Sequence, residues 1–278
     1  MTERRYGWHM AEVAVLDAAT VMLVRDRAAQ MEVLLLKRNL KSTWVGGVHL
    51  FPGGAVDTSD GSAEIAEVCR GLGDEEASAV IGVFEGGGAF FVAAVRECFE
   101  EAGILLASSA SGPLSFADAA VAARFGAHRR RLNAGETSLA EICREEEIAL
   151  ELGQLCYFSR WITPEGSPRR YDTRFFVATA PPDQEALCDA EEVVDATWVA
   201  PSAALARHDA GEIDLFLPTI KNLEAIGRFT STSALLHAAA GQSVPTVRPR
   251  LDVEGPAVRI LLPGDPGYDE ASGRAPSR

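Results

Sequence analysis

Three glutamates, Glu97, Glu100 and Glu101, follow Arg96 at positions i, i+3 and i+4. On a helix this spacing gathers three carboxylates on one face. Like charges so placed repel by roughly 0.2–0.5 kcal/mol per pair on an isolated helix, so the arrangement calls for free solvation or for a cation. Hard carboxylate oxygens suit Mg²⁺ or Mn²⁺, and these ions commonly complete their shells with water and substrate phosphates. A solvated acidic face is the other reading of the same triplet.

The segment that must present these side chains is AFFVAAVRECFEEAG. Phe91, Ala94, Val95, Cys98 and Ala102 recur at helical spacing, and Gly103 stands where a C-terminal cap belongs. The carboxylates then lie roughly a third of a turn from the apolar stripe. Upstream, TVMLV and MEVLLLKR flank RDRAAQ and predict two strands joined by a short turn, and a third strand, VHLF, runs into Phe51–Gly54, FPGG. Residues 55–88 mix Gly, Asp and Glu with short apolar pieces and read as a loop-rich excursion with one short helix. From about 116 to 152 the pattern is helical and charged, a two-helix arm beside the main body. Strands resume at LCYFSRWIT, YDTRFFVATA and VVDATWV. Helices follow from about 201, and a hairpin around EGP closes the pattern near 265. With no internal repeat and no long linker, residues 1–278 read as one elaborated α/β domain.

Arg96 to Ile104, RECFEEAGI, resembles the second half of the Nudix box, G-x5-E-x7-R-E-U-x-E-E-x-G-U, with Cys98 as the apolar U. FPGG resembles the entry that opens it, so the box spans 54–104. Gly54 and Arg96 are 42 residues apart against 14 in the uninterrupted pattern, which leaves an insertion of 28 residues, about 61–88. Counted from Gly54, the early Glu of the box falls on Asp60. Lengthening a loop costs only ~0.6 kcal/mol per doubling, so the two halves can still meet. The resemblance implies a Nudix-type α/β/α sandwich with a mixed sheet, an inserted loop and a helical arm. It also implies that Glu97, Glu100 and Glu101 bind Mg²⁺ or Mn²⁺, that Arg96 orients them, that the Gly53–Gly54 backbone sits beside the ions, and that metal-activated water attacks phosphorus. The general base is left between Glu97 and Glu192, which precedes VVDATWV.

The interrupted box, with WITP, RRYDTRFF, EVVDATW and LLPGD, is similar to the long coenzyme A diphosphatase-like Nudix proteins. LLLKRNLKSTWVGGVHLFPGG partly follows the coenzyme A signature LLTxR[S/A]x3Rx3Gx3FPGG and departs from it at Leu36, Asn39 and Thr43. Thr43 removes an arginine able to grip a substrate phosphate bidentately. The resemblance makes Arg38, Gly53, Gly54 and Arg170 the expected substrate contacts. Coenzyme A or an acyl-coenzyme A is the expected substrate, cut to 3′,5′-ADP and a 4′-phosphopantetheine, with the pantetheine tail toward residues 116–152. NADH, ADP-ribose, a dinucleoside polyphosphate, capped RNA, or a non-catalytic nucleotide sensor are the alternatives.

Forty acidic against 26 basic residues give a formal charge of −14, which disfavours bulk nucleic acid but admits a small anionic diphosphate, because bound cations reverse the local field. Five dispersed cysteines without a CxxC pair suggest neither a disulfide framework nor a zinc site and fit a cytoplasmic protein. Glu12 and Asp17 interrupt the early apolar run, so no membrane span is expected. A homodimer is compatible with this reading. Trp44, Trp161 and Trp198 read as core or rim aromatics, His49 and His128 as structural, and REEE at 144–147 as a solvated helix face.

Overall fold

In the strand β1 (Val15–Arg27), Val21 and Leu23 point to one side and Met22 and Val24 to the other, and all four are fully buried. Such a strand must be covered on both faces. The computed structural model, which describes residues 13–28, 30–39, 47–188, 193–252 and 258–271, shows how. After β1 come β2 (Gln30–Arg38), β3 (His49–Leu50), β4 (Gly53–Ala55), β5 (Cys69–Arg70), β6 (Ala107–Ser109), β7 (Gly112–Pro113) and β8 (Ala149–Glu151). The later strands are β9 (Cys156–Ile162), β10 (Arg170–Thr179), β11 (Val193–Val199), β12 (Thr246–Val247), β13 (Arg250–Asp252) and β14 (Arg259–Leu261). The helices are α1 (Ala63–Ala66), α2 (Asp74–Ile81), α3 (Gly87–Ala102), α4 (Ala119–Asn133), α5 (Leu139–Glu145), α6 (Pro201–Asp209), α7 (Leu217–Ile226) and α8 (Thr232–Gly241).

The main sheet runs β11-β2-β1-β10-β9-β12. It is mixed: β1 is parallel to β10 and antiparallel to β2 and β4. β3 and β4 wedge between the diverging ends of β2 and β1. One face packs on α3, where Phe91 meets Phe176 at 4.5 Å between ring centroids. The other face packs on Ala204 of α6, Leu223 and Ile226 of α7, and Leu235 of α8. The result is the expected α/β/α sandwich with a mixed sheet. Burying each large apolar side chain in these layers contributes about 1.5–3 kcal/mol. The closing hairpin forms as β13 and β14. Among the described residues no helix is long and apolar enough to cross a membrane.

Three expectations change. Residues 55–88 are not a loop with one short helix. They contain a 3₁₀ turn at Thr58–Gly61, α1, β5 and α2, and β5 pairs with β8 in a second sheet, β5-β8-β6-β7. Two- and three-residue strands carry no readable alternation, and so this sheet escaped the sequence pattern. Nor does the helical segment stand beside the body: Phe125 of α4 and Ile142 and Cys143 of α5 are buried in the same core as α3. In the run REEE, Glu146 is not solvated but receives Arg124 Nε at 2.7 Å and pairs with His128 Nε2 at 2.8 Å.

Candidate active site

α3 starts two residues before the periodic pattern, because Gly87 lets it pass close to α2. A Cβ on Gly87 would lie 2.3 Å from the Ser78 nitrogen, while its own N–H donates to Ser78 Oγ at 2.9 Å. At the other end Gly103, at φ 72°, closes the helix through its N–H to the Phe99 carbonyl. Between these ends α3 crosses the sheet and carries Arg96 to Glu101 over β4. Register places Gly54 opposite Ala19 and Gly53 opposite Thr20 of β1.

The two glycines serve different contacts. A Cβ on Gly53 would meet the Ala19 carbonyl oxygen at 2.6 Å and Thr20 Cα at 2.7 Å, so that glycine permits the strand pairing. A Cβ on Gly54 would meet Glu97 Oε1 at 2.3 Å, so this one leaves room for a carboxylate. The Gly53 N–H donates to Glu101 Oε2 at 2.9 Å, and Glu101 is buried.

Arg96 is the hub. Its Nε and Nη2 donate to the two Asp60 oxygens at 2.8 and 2.9 Å, Nη2 also donates to the Ala55 carbonyl at 2.9 Å, and Nη1 donates to Glu97 Oε1 at 3.0 Å and Glu100 Oε2 at 2.9 Å. Five N–H groups thus meet five acceptors. Burial alone would push the guanidinium pKa down, but the Asp60 hydrogen bond and the charges of Glu97, Asp60 and Glu100 more than offset it, so Arg96 stays charged. Glu100 is shifted upward by its own burial, against the pull of Arg96.

Asp60, only 3% exposed, is the residue that sequence reading placed without a role. It lies within the 3₁₀ turn, takes the Asp57 N–H at 2.8 Å, and grips Arg96 just before the insertion leaves the box. Counting six residues from Gly54 was the one signal for it. Arg129 of α4 carried no signal: its Nε donates to the Glu100 carbonyl at 2.8 Å and its Nη1 to the Leu187 carbonyl at 2.6 Å, which ties α4 to the end of α3.

Among the described residues no group of three or more His, Cys, Asp and Glu side chains is arranged as a preformed cage for an ion. Glu97 and Glu100 lean on Arg96, and Glu101 on Gly53. The donor set nevertheless fits a hard divalent cation. The cluster sets four carboxylates, Asp60, Glu97, Glu100 and Glu101, against the Arg96 guanidinium, so its formal charge is negative, and Gly54 supplies a cradle beside Glu97 that a Cβ would fill.

Of the other expected contacts, Arg38 ends β2 where β3 and β4 wedge in, at the glutamate end of the sheet. Arg170 lies elsewhere. The register puts Arg174 level with Ala19, so Arg170 is four residues, ~13 Å, further along β10, and its Nε donates to the Thr163 carbonyl at 3.2 Å. Arg174 is buried between Asp17 and Asp172 and over the Phe90 ring at 4.2 Å. Trp161 is a core residue, and Trp198 carries the Arg25 guanidinium 4.1 Å above its ring. Glu192, Thr43 and Trp44 lie outside the described residues.

Comparison with known proteins identifies the family. A family model, the NUDT19 Nudix domain, matches residues 74–226, more than half of the chain. Acyl-coenzyme A diphosphatase NUDT19 of Gallus gallus is 30% identical over 279 residues, covering 86% of this chain and 73% of the relative. The Homo sapiens protein of the same name is 28% identical over 299 residues, covering 96% and 78%. Among solved structures, a NUDIX hydrolase from Alicyclobacillus acidocaldarius superposes with a TM-score of 0.67 at 27% identity, over 84% of this chain and all of that one. The chain belongs to the NUDT19 branch of the Nudix superfamily and is a Nudix hydrolase.

Proposed function

We propose that the chain hydrolyses the diphosphate of coenzyme A or an acyl-coenzyme A, releasing 3′,5′-ADP and a (acyl-)4′-phosphopantetheine. The observation that carries this is the Arg96 hub: across a 28-residue insertion Asp60 still clamps Arg96, and Arg96 still holds Glu97 and Glu100 beside the Gly54 cradle. The names of the chicken and human relatives support the coenzyme A class. In this reading residues 1–278 work as one elaborated domain.

Glu97, Glu100 and Glu101 are the residues that would hold Mg²⁺ or Mn²⁺. Such an ion, when bound, supplies Lewis acidity toward phosphoryl oxygens and lowers the pKa of water. Arg96 fixes the rotamers of Glu97 and Glu100, so their oxygens need not reorganise as charge develops. The Gly53 N–H fixes Glu101. Glu97 or Glu192 takes the proton of the attacking water, and Arg38 lies at the end of the sheet where the adenosine phosphates would be received. Arg170 acts only if the substrate extends along β10.

Purified protein with Mg²⁺ or Mn²⁺ is to be incubated with coenzyme A, an acyl-coenzyme A, NADH, ADP-ribose and a dinucleoside polyphosphate, and the products weighed. Formation of 3′,5′-ADP together with phosphopantetheine is expected. Turnover of the nucleotides with both coenzyme A compounds intact would overturn the substrate assignment.

A further inference from the structure

Between the box insertion and the first two turns of α3 lies a cavity of about 280 Å³. Its lining includes the apolar side chains of Ile65, Leu72, Val92 and Leu152, with Ala66 from α1 and Ala89 from α3. Its size is near the lower end for small-molecule sites, ~300 Å³. The polar groups along it are already engaged. Both Asp60 oxygens receive Arg96, and Ser62 Oγ takes the Ile65 N–H at 3.3 Å. The Asp74 oxygens take the N–H groups of Gly86 and Gly88 at 3.1 and 2.9 Å. The Cys69 thiol donates to the Ile65 carbonyl at 3.1 Å, and burial pushes its pKa up to about 11, which keeps it neutral. Arg70 is the exposed cation on the rim. A wall so lined rewards apolar surface rather than charge.

The cavity also lies on the right side of the helix. Gly88, Val92, Arg96 and Glu100 follow at steps of four along α3, so the cavity and the glutamates share one stripe, with Asp60 as common wall. From Ala89 to Glu97 the helix rises ~12 Å, a distance that a flexible arm of pantetheine's length spans. Phe84 stands 98% exposed two residues from Gly86, hence within ~7 Å of a residue bonded to the cavity wall.

We propose that this cavity receives the acyl chain of a thioester substrate, and that the insertion, which supplies Ile65, Ala66 and Leu72, sets the chain preference. The inference rests on the diphosphatase reading for the identity of the substrate. It gives the 28 inserted residues a task that the chemistry at Arg96 does not require, and places the tail against Leu152, the end of the helical segment.

Ala89→Phe on α3 and, separately, Ala66→Phe on α1 each add a ring among the lining residues at a position outside the glutamate cluster. Binding of octanoyl-coenzyme A and of coenzyme A is to be measured by calorimetry without metal, and kcat/KM for both with Mg²⁺. Each buried methylene tightens binding about fourfold, so the wild type is expected to prefer the octanoyl compound at least tenfold. Each filled variant should lose that preference and keep coenzyme A binding within twofold. A thermal melt checks folding, and a variant that melts far below wild type leaves the decision to the other. A preference unchanged by both fillings, or absent in the wild type, overturns the proposal while hydrolysis of both compounds leaves the diphosphatase reading standing. A preference that the fillings abolish, in a protein that hydrolyses neither compound, upholds the cavity and overturns that reading.

Discussion

Gly53 and Gly54 are adjacent and identical, yet a methyl group on each meets a different obstacle, and the two substitutions should separate folding from chemistry. On Gly53 it meets backbone that cannot move without breaking the β1–β4 pairing. Gly53→Ala should destabilise by about 2 kcal/mol or more, a fall in Tm of roughly 4–8 °C. On Gly54 it meets the flexible end of Glu97. Gly54→Ala should melt within about 2 °C of wild type but turn over at least tenfold more slowly, as read by steady-state kinetics beside calorimetry. Equal melting of the two variants would refute the distinction. Asp60→Asn removes the anion that faces buried Arg96 and should cost about 3 kcal/mol in urea unfolding, toward the lower end for a broken buried pair because Glu97 and Glu100 remain. A loss under 1 kcal/mol would mean that Asp60 is dispensable as anchor.

At the scale of elements, α4 and α5 are joined by Glu146, which accepts from Arg124 and pairs with His128. The Arg124 hydrogen bond, and after it His128, holds this carboxyl below its ordinary value of 4.5 in spite of some burial. A folded-state pKa that is depressed adds stability above the unfolded value, and that stability is lost as pH falls through the folded one. Glu146→Gln should therefore lower Tm at pH 7 by roughly 1–3 °C, a modest figure because Arg124 is half exposed. The difference should shrink between pH 5 and pH 3, and a gap that widens on acidification would contradict the assignment. α3 was readable because sixteen residues hold one apolar stripe and end on a left-handed glycine. The second sheet was not, since its strands of two or three residues exist only where β5, β6 and β8 converge.

For the whole molecule, the proposed metal role of the three glutamates predicts that ion binding is coupled to stability. An ion at about a hundredfold its Kd should add ~2.7 kcal/mol, or roughly 5–10 °C in Tm, reversed by a chelator. Glu100→Gln and Glu101→Gln should each remove most of that increment and cut turnover by orders of magnitude, while melting without metal stays near that of wild type. Near-normal turnover in both would sink the metal assignment. The molecule carries −14 overall, so in the proposed reading an anionic substrate would be received where cations are held, and the same site would serve both attraction and chemistry.

Local text determined what depends on neighbours in the chain: the helix under Arg96, the glutamates on one face, the glycine turn before them and the family they imply. Each of these is set by spacing of a few residues and by backbone preferences that act within a turn. Tertiary structure decided what depends on residues far apart. It set Asp60 under Arg96 across 36 positions, buried Arg174 between Asp17 and Asp172, drew the helical segment into the core, and folded the insertion into a cavity beside the glutamate stripe. Those partners meet only because two faces of one sheet must be covered at once, and the side chains that cover them are named by packing, not by their position in the sequence.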